Sequence, residues 1–277
     1  MSKEILLIGG AGFIGSRFCQ LSTQTCIVAD KKTGCNINIT SPRLLLPRKK
    51  FSSVVFLAAE PNLRSVINNP ESAFKTMTQG LMNSIERYSD SHFVYVSSSM
   101  VYGPWTNSTM NEQDNCLPNN IYGQLKLLGE GIVKQFHNNW TIVRPSAVYG
   151  PHDNPKRVVN LFINKIQNNE KLTLEGADNL FDFTYVDDIV NGLQLVVDQK
   201  PQAQTYNITC GTAHTLEHMT QMLYKKLNVQ PNFQTTPLPQ NYPRRGALDI
   251  TKAINELGYT PNFDLSRGLD DTINKLT

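Results

Sequence analysis

Apolar and polar positions fall into alternating blocks along the first half of the chain. Ile5-Leu6-Leu7-Ile8 is a continuous apolar run, the pattern of a parallel strand buried on both faces. Glycines follow at once, and then Phe13, Ile14, Phe18 and Leu21 mark one face of a helix. Thr25-Cys26-Ile27-Val28-Ala29 predicts a second strand ending at Asp30, and Val54 to Ala59 a third with a small-residue exit. Pro70 to Arg87 reads as a helix and Phe93-Val94-Tyr95-Val96 as the next strand. A helix carrying Tyr122, Leu125, Leu128 and Ile132 to about Phe136 leads into a strand at Trp140-Thr141-Ile142-Val143. Strands alternating with helices predict an α/β fold built on a doubly wound parallel sheet.

The character changes from Tyr149-Gly150-Pro151 onward. Asparagines become dense, Pro231, Pro237, Pro239 and Pro243 appear, and apolar runs shorten. Val186 to Val197 reads as a helix and Gln204-Thr205-Tyr206-Asn207-Ile208 as a strand that rejoins the sheet. The expected division is a sheet domain over 1–146 plus about 184–210, and a smaller lobe over about 147–183 and 211–277.

The 277 residues, 40% hydrophobic and 18% charged, suit one large α/β domain with a smaller lobe in an ordinary soluble protein. A net charge of +3 argues against nucleic acid or a membrane as partner. The basic run Arg48-Lys49-Lys50 reads as a solvated corner. Five cysteines (Cys19, Cys26, Cys35, Cys116, Cys210) lack Cys-x-x-Cys spacing, which predicts reduced thiols, a cytoplasmic location, and neither a disulfide framework nor a metal centre. The apolar run at Ile5 is too short for a signal-peptide core or a membrane span.

Three signals carry chemistry. Gly9, Gly12 and Gly15 follow a strand and open a helix, the context in which a glycine turn approaches a pyrophosphate at a helix N-terminus. The spacing is one residue longer at its start than the common Gly-x-Gly-x-x-Gly. Asp30 ends the second strand about twenty residues on, where a carboxylate accepts ribose hydroxyls and repels a 2′-phosphate. This favours NAD, and Lys31 and Lys32 beside it leave NADP open. Downstream, Ser97-Ser98-Ser99 leaves an apolar strand, and Tyr122 and Lys126 stand four apart on one helix face. An ammonium there is positioned to stabilise the Tyr122 phenolate.

Together these residues resemble the extended short-chain dehydrogenase/reductase family, which acts mainly on nucleotide-sugars. The likeness covers nearly the whole chain. It extends through Leu57-Ala58-Ala59, Ser98-Ser99-Met100-Val101-Tyr102-Gly103, Arg144-Pro145, Val148-Tyr149-Gly150-Pro151, Asp182-Phe183-Thr184-Tyr185-Val186-Asp187-Asp188 and Leu257-Gly258-Tyr259-Thr260-Pro261. It implies a Rossmann domain binding NAD through Gly9, Gly12, Phe13, Ile14, Gly15, Asp30, Lys31, Leu57, Ala58 and Ala59. Asn38-Ile39 would bracket the adenine, with Asn where the family has Asp. Tyr122 would be the acid/base, Lys126 its activator and a contact of the nicotinamide ribose, and Ser98 the catalytic hydroxyl.

For the substrate, a nucleotide-diphosphate sugar, the resemblance points to Ser99, Arg157, Arg244 and Arg245. The family's homodimers pack through the helix that bears Tyr and Lys. Departures bear on the reaction. Dehydratases and decarboxylases of the family carry acids just after the catalytic hydroxyl, where this chain has Ser99 and Met100. Ala147, Phe181 and Met77 stand where an Asn, an Arg and an Asn are usual. The expected reaction is therefore C4 epimerisation with tightly held NAD. The alternatives are an NAD(P)H-dependent 4-keto-sugar reductase and, in a different class, a non-catalytic dinucleotide sensor.

Overall fold

A computed structural model describes residues 4–31, 37–41, 46–47, 49–60, 63–105, 109–240 and 242–276. Lys32, Cys35 and Arg48 lie outside the described residues. The apolar runs form the expected strands: β1 (Glu4–Ile8), β2 (Thr25–Ala29), β3 (Ser53–Phe56), β4 (His92–Val96), β5 (Trp140–Arg144) and β6 (Gln204–Asn207). They make one parallel six-stranded sheet in the order β6-β5-β4-β3-β1-β2. Successive side chains point to opposite faces, so each strand feeds two cores. Ile5, Leu7, Val55, Val94 and Val143 pack with Ile189, Leu193 and Val196 of the helix Val186–Gln199. Leu6, Ile8, Val54, Phe56, Phe93 and Ile142 pack on the other face with Leu81, Ile85 and Val133.

Two expectations are refined. The strand expected over Val54 to Ala59 stops at Phe56, leaving Leu57, Ala58 and Ala59 as an exit loop. The segment Pro70 to Arg87 is helical throughout but winds through a π-turn at Lys75–Gln79, closed by a bond from Gly80 N–H to Lys75 C=O. There the Thr78 hydroxyl donates to Phe74 C=O at 2.7 Å, and such back-bonding competes with the regular helical ladder.

The smaller C-terminal lobe contains elements the apolar pattern does not announce. These include helices Val158–Gln167, Leu216–Leu227, Thr251–Leu257 and Leu265–Leu276, and a parallel pair, Leu172–Glu175 with Phe233–Thr236. Buried carboxylates tie these pieces to the sheet. Asp182 accepts from the Thr209 hydroxyl and from the backbone N–H groups of Cys210, Gly211 and Leu248. Asp188 accepts from Asn262 and Phe263 N–H; within the sheet domain, part-buried Asp187 accepts two bonds from Arg17. Among the described residues, no helix is long and apolar enough to cross a membrane.

Candidate active site

The strand order reverses between β1 and β3, and open parallel sheets bind ligands beyond the strand ends at such a point. A cavity of about 650 Å³ lies there. At one end, Gly9 has φ +83, and a Cβ on it would stand 2.6 Å from Ala58 N. A side chain at Gly15 would collide with Gly10 at 2.6 Å. The helix Phe13–Leu21 begins at Gly12 and has no acidic residue in its first turn, so no carboxylate of its own offsets its positive end. Asp30 lines the cavity and accepts from Ala11 N–H at 3.0 Å, which fixes its carboxylate against the glycine turn. Lys31, Asn38, Ile39, Leu57, Ala58 and Ala59 complete this end, with Phe13 and Ile14. A tight glycine turn, a positive helix end and a strand-end carboxylate fit the pyrophosphate and ribose of a dinucleotide.

The other end gathers the residues expected to react. Ser98 leaves β4, and its hydroxyl accepts from Met100 N–H at 3.2 Å, starting the short turn Ser99–Tyr102. The helix Ile121–Phe136 starts beside it, capped by the Asn120 side chain, which accepts from Gly123 N–H at 3.0 Å. A Cβ on Gly123 would lie 2.5 Å from Met100 C=O, so glycine there allows the helix to approach the Ser98 turn. Ser98, Tyr122 and Lys126 all line the cavity. Burial raises the Tyr122 phenol above its ordinary value, opposed by the Arg157 charge, a hydrogen bond with Ser98 and the Arg245 charge.

Lys126 departs from expectation. Its ammonium donates to Val96 C=O at 2.8 Å and lies 5.4 Å from the centre of the Tyr95 ring. It is therefore occupied by a strand-end carbonyl rather than turned onto the Tyr122 phenol. A buried ammonium must find an acceptor, and Val96 offers one directly beneath. Burial lowers Lys126 to about 8, with Glu130 pulling the other way.

The four substrate candidates divide. Arg157 lines the cavity and pairs with Asp153 at 3.5 Å. Arg245 is half-buried, stacks over Phe181 at 5.3 Å and donates to the Met100 sulfur. Arg244 is exposed and paired with Asp178 at 2.7 Å; Arg244, Arg245 and Ser99 do not join the cavity lining. Ser99 is buried behind Ser98, its hydroxyl donating to Ser146 at 3.2 Å.

Thr76, Ser146, His152 and Asp153 also line the cavity and were not anticipated; Ala147, where the resemblance implies an Asn, joins them. Ala147 and His152 have positive φ, +26 and +65, and flank the Val148-Tyr149-Gly150-Pro151 motif that could have flagged them. Thr76 faces the cavity while Met77 packs inward with Val66 and Leu125. Burial raises Asp153 to about 6 against the pull of Arg157. Away from the cavity, His214 and His218 stand four apart with stacked rings 5.2 Å between centres. No group of three metal-ligating side chains forms among the described residues.

A family model described as the NAD dependent epimerase/dehydratase family matches residues 5–209. The chain belongs to this family. Membership makes it an NAD-dependent enzyme. It is 28% identical to a dTDP-glucose 4,6-dehydratase of Streptomyces antibioticus, covering 98% of this chain and 91% of that one. It is 29% identical to UDP-glucuronate 4-epimerase 5 of Arabidopsis thaliana, covering 79% of this chain and 56% of the relative. The structure of MoeE5 in complex with UDP-glucuronic acid and NAD superposes with a TM-score of 0.90 at 24% identity, over 99% of this chain and 98% of that one. At that identity the superposition establishes a shared fold.

Proposed function

We propose that this family member is a nucleotide-sugar C4 epimerase that oxidises and re-reduces one carbon through a 4-keto intermediate. The observation that carries the reading is the chemistry of the two residues after Ser98. Ser99 is bonded to Ser146 and Met100 to Arg245, so neither position offers a carboxylate to remove a second proton, as dehydration needs. The relatives' names support a nucleotide-diphosphate sugar as substrate.

Bound NAD supplies a hydride acceptor and donor. Tyr122 takes the proton from the sugar 4-hydroxyl and later returns it. Ser98 donates a hydrogen bond to the reacting oxygen, and Lys126 meets the nicotinamide ribose. Arg157 and Arg245 offer cations to the diphosphate; Arg244, turned to solvent, does not. Asp30 accepts the adenosine ribose hydroxyls. The sheet domain, 1–146 with about 184–210, holds the dinucleotide, and the remaining residues hold the sugar nucleotide.

The test is incubation of the purified protein with UDP- and dTDP-hexoses and their uronic acids. The expected outcome is a C4 epimer, NAD carried through purification and no net NADH. Tyr122→Phe should lower turnover at least about a thousandfold while leaving NAD affinity within about twofold, because only the proton-transfer group is lost. Retained turnover in that variant would place the base elsewhere.

A reductase is the second reading. Lys31 borders a neighbouring cavity of about 470 Å³ beside Asn38, where Lys75 is paired with Glu71, and a cation such as Lys31 suits the 2′-phosphate of an exchangeable NADPH. Stoichiometric NAD(P)H consumption with a 4-keto-sugar and no epimer would decide for it. NAD binding without turnover on any of these substrates would instead indicate a sensor.

A homodimer is also proposed. Ile67, Phe74, Ile121, Leu128 and Phe136 are exposed, and Ile121 and Leu128 share a face of the Tyr122 helix. Light scattering should give twice the chain mass, and Leu128→Glu should halve it. A monomeric wild type would refute this.

A further inference from the structure

Glu130 lies two turns beyond Tyr122 and one turn beyond Lys126, so the three share a helix face. It is completely buried. One carboxylate oxygen accepts from the Ser97 hydroxyl at 2.6 Å and from Arg144 Nε at 2.9 Å. The other accepts from Arg144 Nη2 at 2.7 Å, with Lys134 at 3.8 Å on the outer side. Ser97 immediately precedes Ser98 at the exit of β4. Arg144 ends β5 and precedes Pro145 and Ser146 of the cavity wall. Arg144 Nη1 in turn donates to the Tyr102 hydroxyl, which donates to Asn207 of β6.

One side chain thus joins the three segments that form the reacting end of the cavity. A buried carboxylate is costly unless it is paired and hydrogen-bonded, and here both oxygens accept and Arg144 supplies the opposite charge. The groups that act on the Lys126 ammonium are Glu130 from its own helix and the Tyr95 ring and the Val96 carbonyl from β4. Arg144 approaches from β5 behind Glu130. Of these, Glu130 is the source of negative charge.

We propose that Glu130 is a positioning residue. It fixes the Ser98 strand exit and the Pro145 wall against the Tyr122 helix, and it holds Lys126 charged for the cofactor ribose. The second role rests on the proposed contact of Lys126 with NAD, and neither role depends on which sugar is turned over. Burial alone disfavours the Lys126 charge, and Glu130 opposes that loss.

The experiment tracks the Lys126 side-chain nitrogen by NMR in the full-length, 15N-lysine-labelled protein, with Lys126→Met for assignment. The wild-type midpoint should lie near 8. Glu130→Gln should move it down by about one pH unit or more, and Glu130→Asp, which keeps the charge, should restore most of the shift. Calorimetric NAD affinity at pH 7.5 should fall about threefold in Glu130→Gln for a one-unit drop, as the charged fraction goes from about three-quarters to about one-quarter. If Arg144 left unpaired prevents that variant from folding, Glu130→Gln with Arg144→Met removes both charges, and the midpoint should move in the same direction. An unchanged Lys126 midpoint and unchanged NAD affinity, with only the melting temperature lowered, would reduce Glu130 to a structural brace and overturn the proposal. A shifted midpoint in a protein that epimerises nothing would refute the epimerase reading and leave Glu130 in its role.

Discussion

The role proposed for Asp30, discrimination between dinucleotides, rests on charge and on a fixed direction. Ala11 N–H holds one of its oxygens toward the glycine turn, and the carboxylate sits where ribose hydroxyls would donate to it. Asp30→Ala removes both the acceptor and the repulsion of a 2′-phosphate, while Lys31 remains on the cavity wall. The preference for NAD over NADP, measured as a ratio of dissociation constants, should fall by about tenfold or more, equal to one lost charge-assisted contact. No change in the ratio would remove Asp30 from its assigned role. Asp30, Ser98, Tyr122 and Lys126 were legible in the sequence because strand ends and helix spacing fix where such residues lie. The direction of the Lys126 ammonium was not, since it is set by an acceptor on another strand. Nor was the separate fate of Arg244 and Arg245. Adjacent in sequence, they point to solvent and to Phe181 respectively.

The helix Ile121–Phe136 carries two glycines with opposite consequences. A Cβ on Gly129 would fall 2.1 Å from the Tyr95 hydroxyl, whereas one on Gly131 would meet nothing within 4 Å. Gly131→Ala should therefore stabilise the protein by about 0.5–1 kcal/mol through reduced chain entropy and better helix propensity. Gly129→Ala should destabilise it by about 1–3 kcal/mol, because a packed ring must move. Urea unfolding of both variants checks the pair, and equal effects would contradict the close approach of this helix to β4. Elements of the sheet domain announced themselves through unbroken apolar runs of Ile5–Ile8 type. The smaller lobe relies on two-residue strands such as Leu180–Phe181 with His214–Thr215, too short to show a period. The π-turn at Lys75–Gln79 was invisible for a different reason. It depends on a side-chain bond to Phe74 C=O and it accompanies the exposure of Thr76, not Met77, to the cavity.

Lys126 also couples the site to the stability of the entire fold. Its value is lowered from 10.5 to about 8, chiefly by burial. Well below pH 8 both the native and the unfolded chain hold the proton, so stability does not respond to it. Between about 8 and 10.5 the unfolded chain holds the proton and the native one has released it, so stability rises with pH. From pH 8 to pH 9.5 the gain from this group should be about 1.5 kcal/mol. Tyr95 and Tyr102, raised by burial, and the Cys116 and Cys210 thiols, raised likewise, lose their protons first in the unfolded chain, so they oppose the gain, equally in wild type and variants. Cys26 falls to about 7 through its hydrogen bond with Cys19, and its contribution is common to wild type and variants. The difference between wild type and Lys126→Met therefore isolates the lysine. Urea unfolding at pH 8 and pH 9.5 should show a change in stability about 1.5 kcal/mol more favourable in wild type than in Lys126→Met. Saturating NAD should flatten the wild-type slope, because a ribose contact favours the charged lysine in the native state. A slope unaffected by NAD would mean that the ammonium stays on Val96 when the cleft is filled, and Tyr122 would then draw its positive neighbours from Arg157 and Arg245 instead.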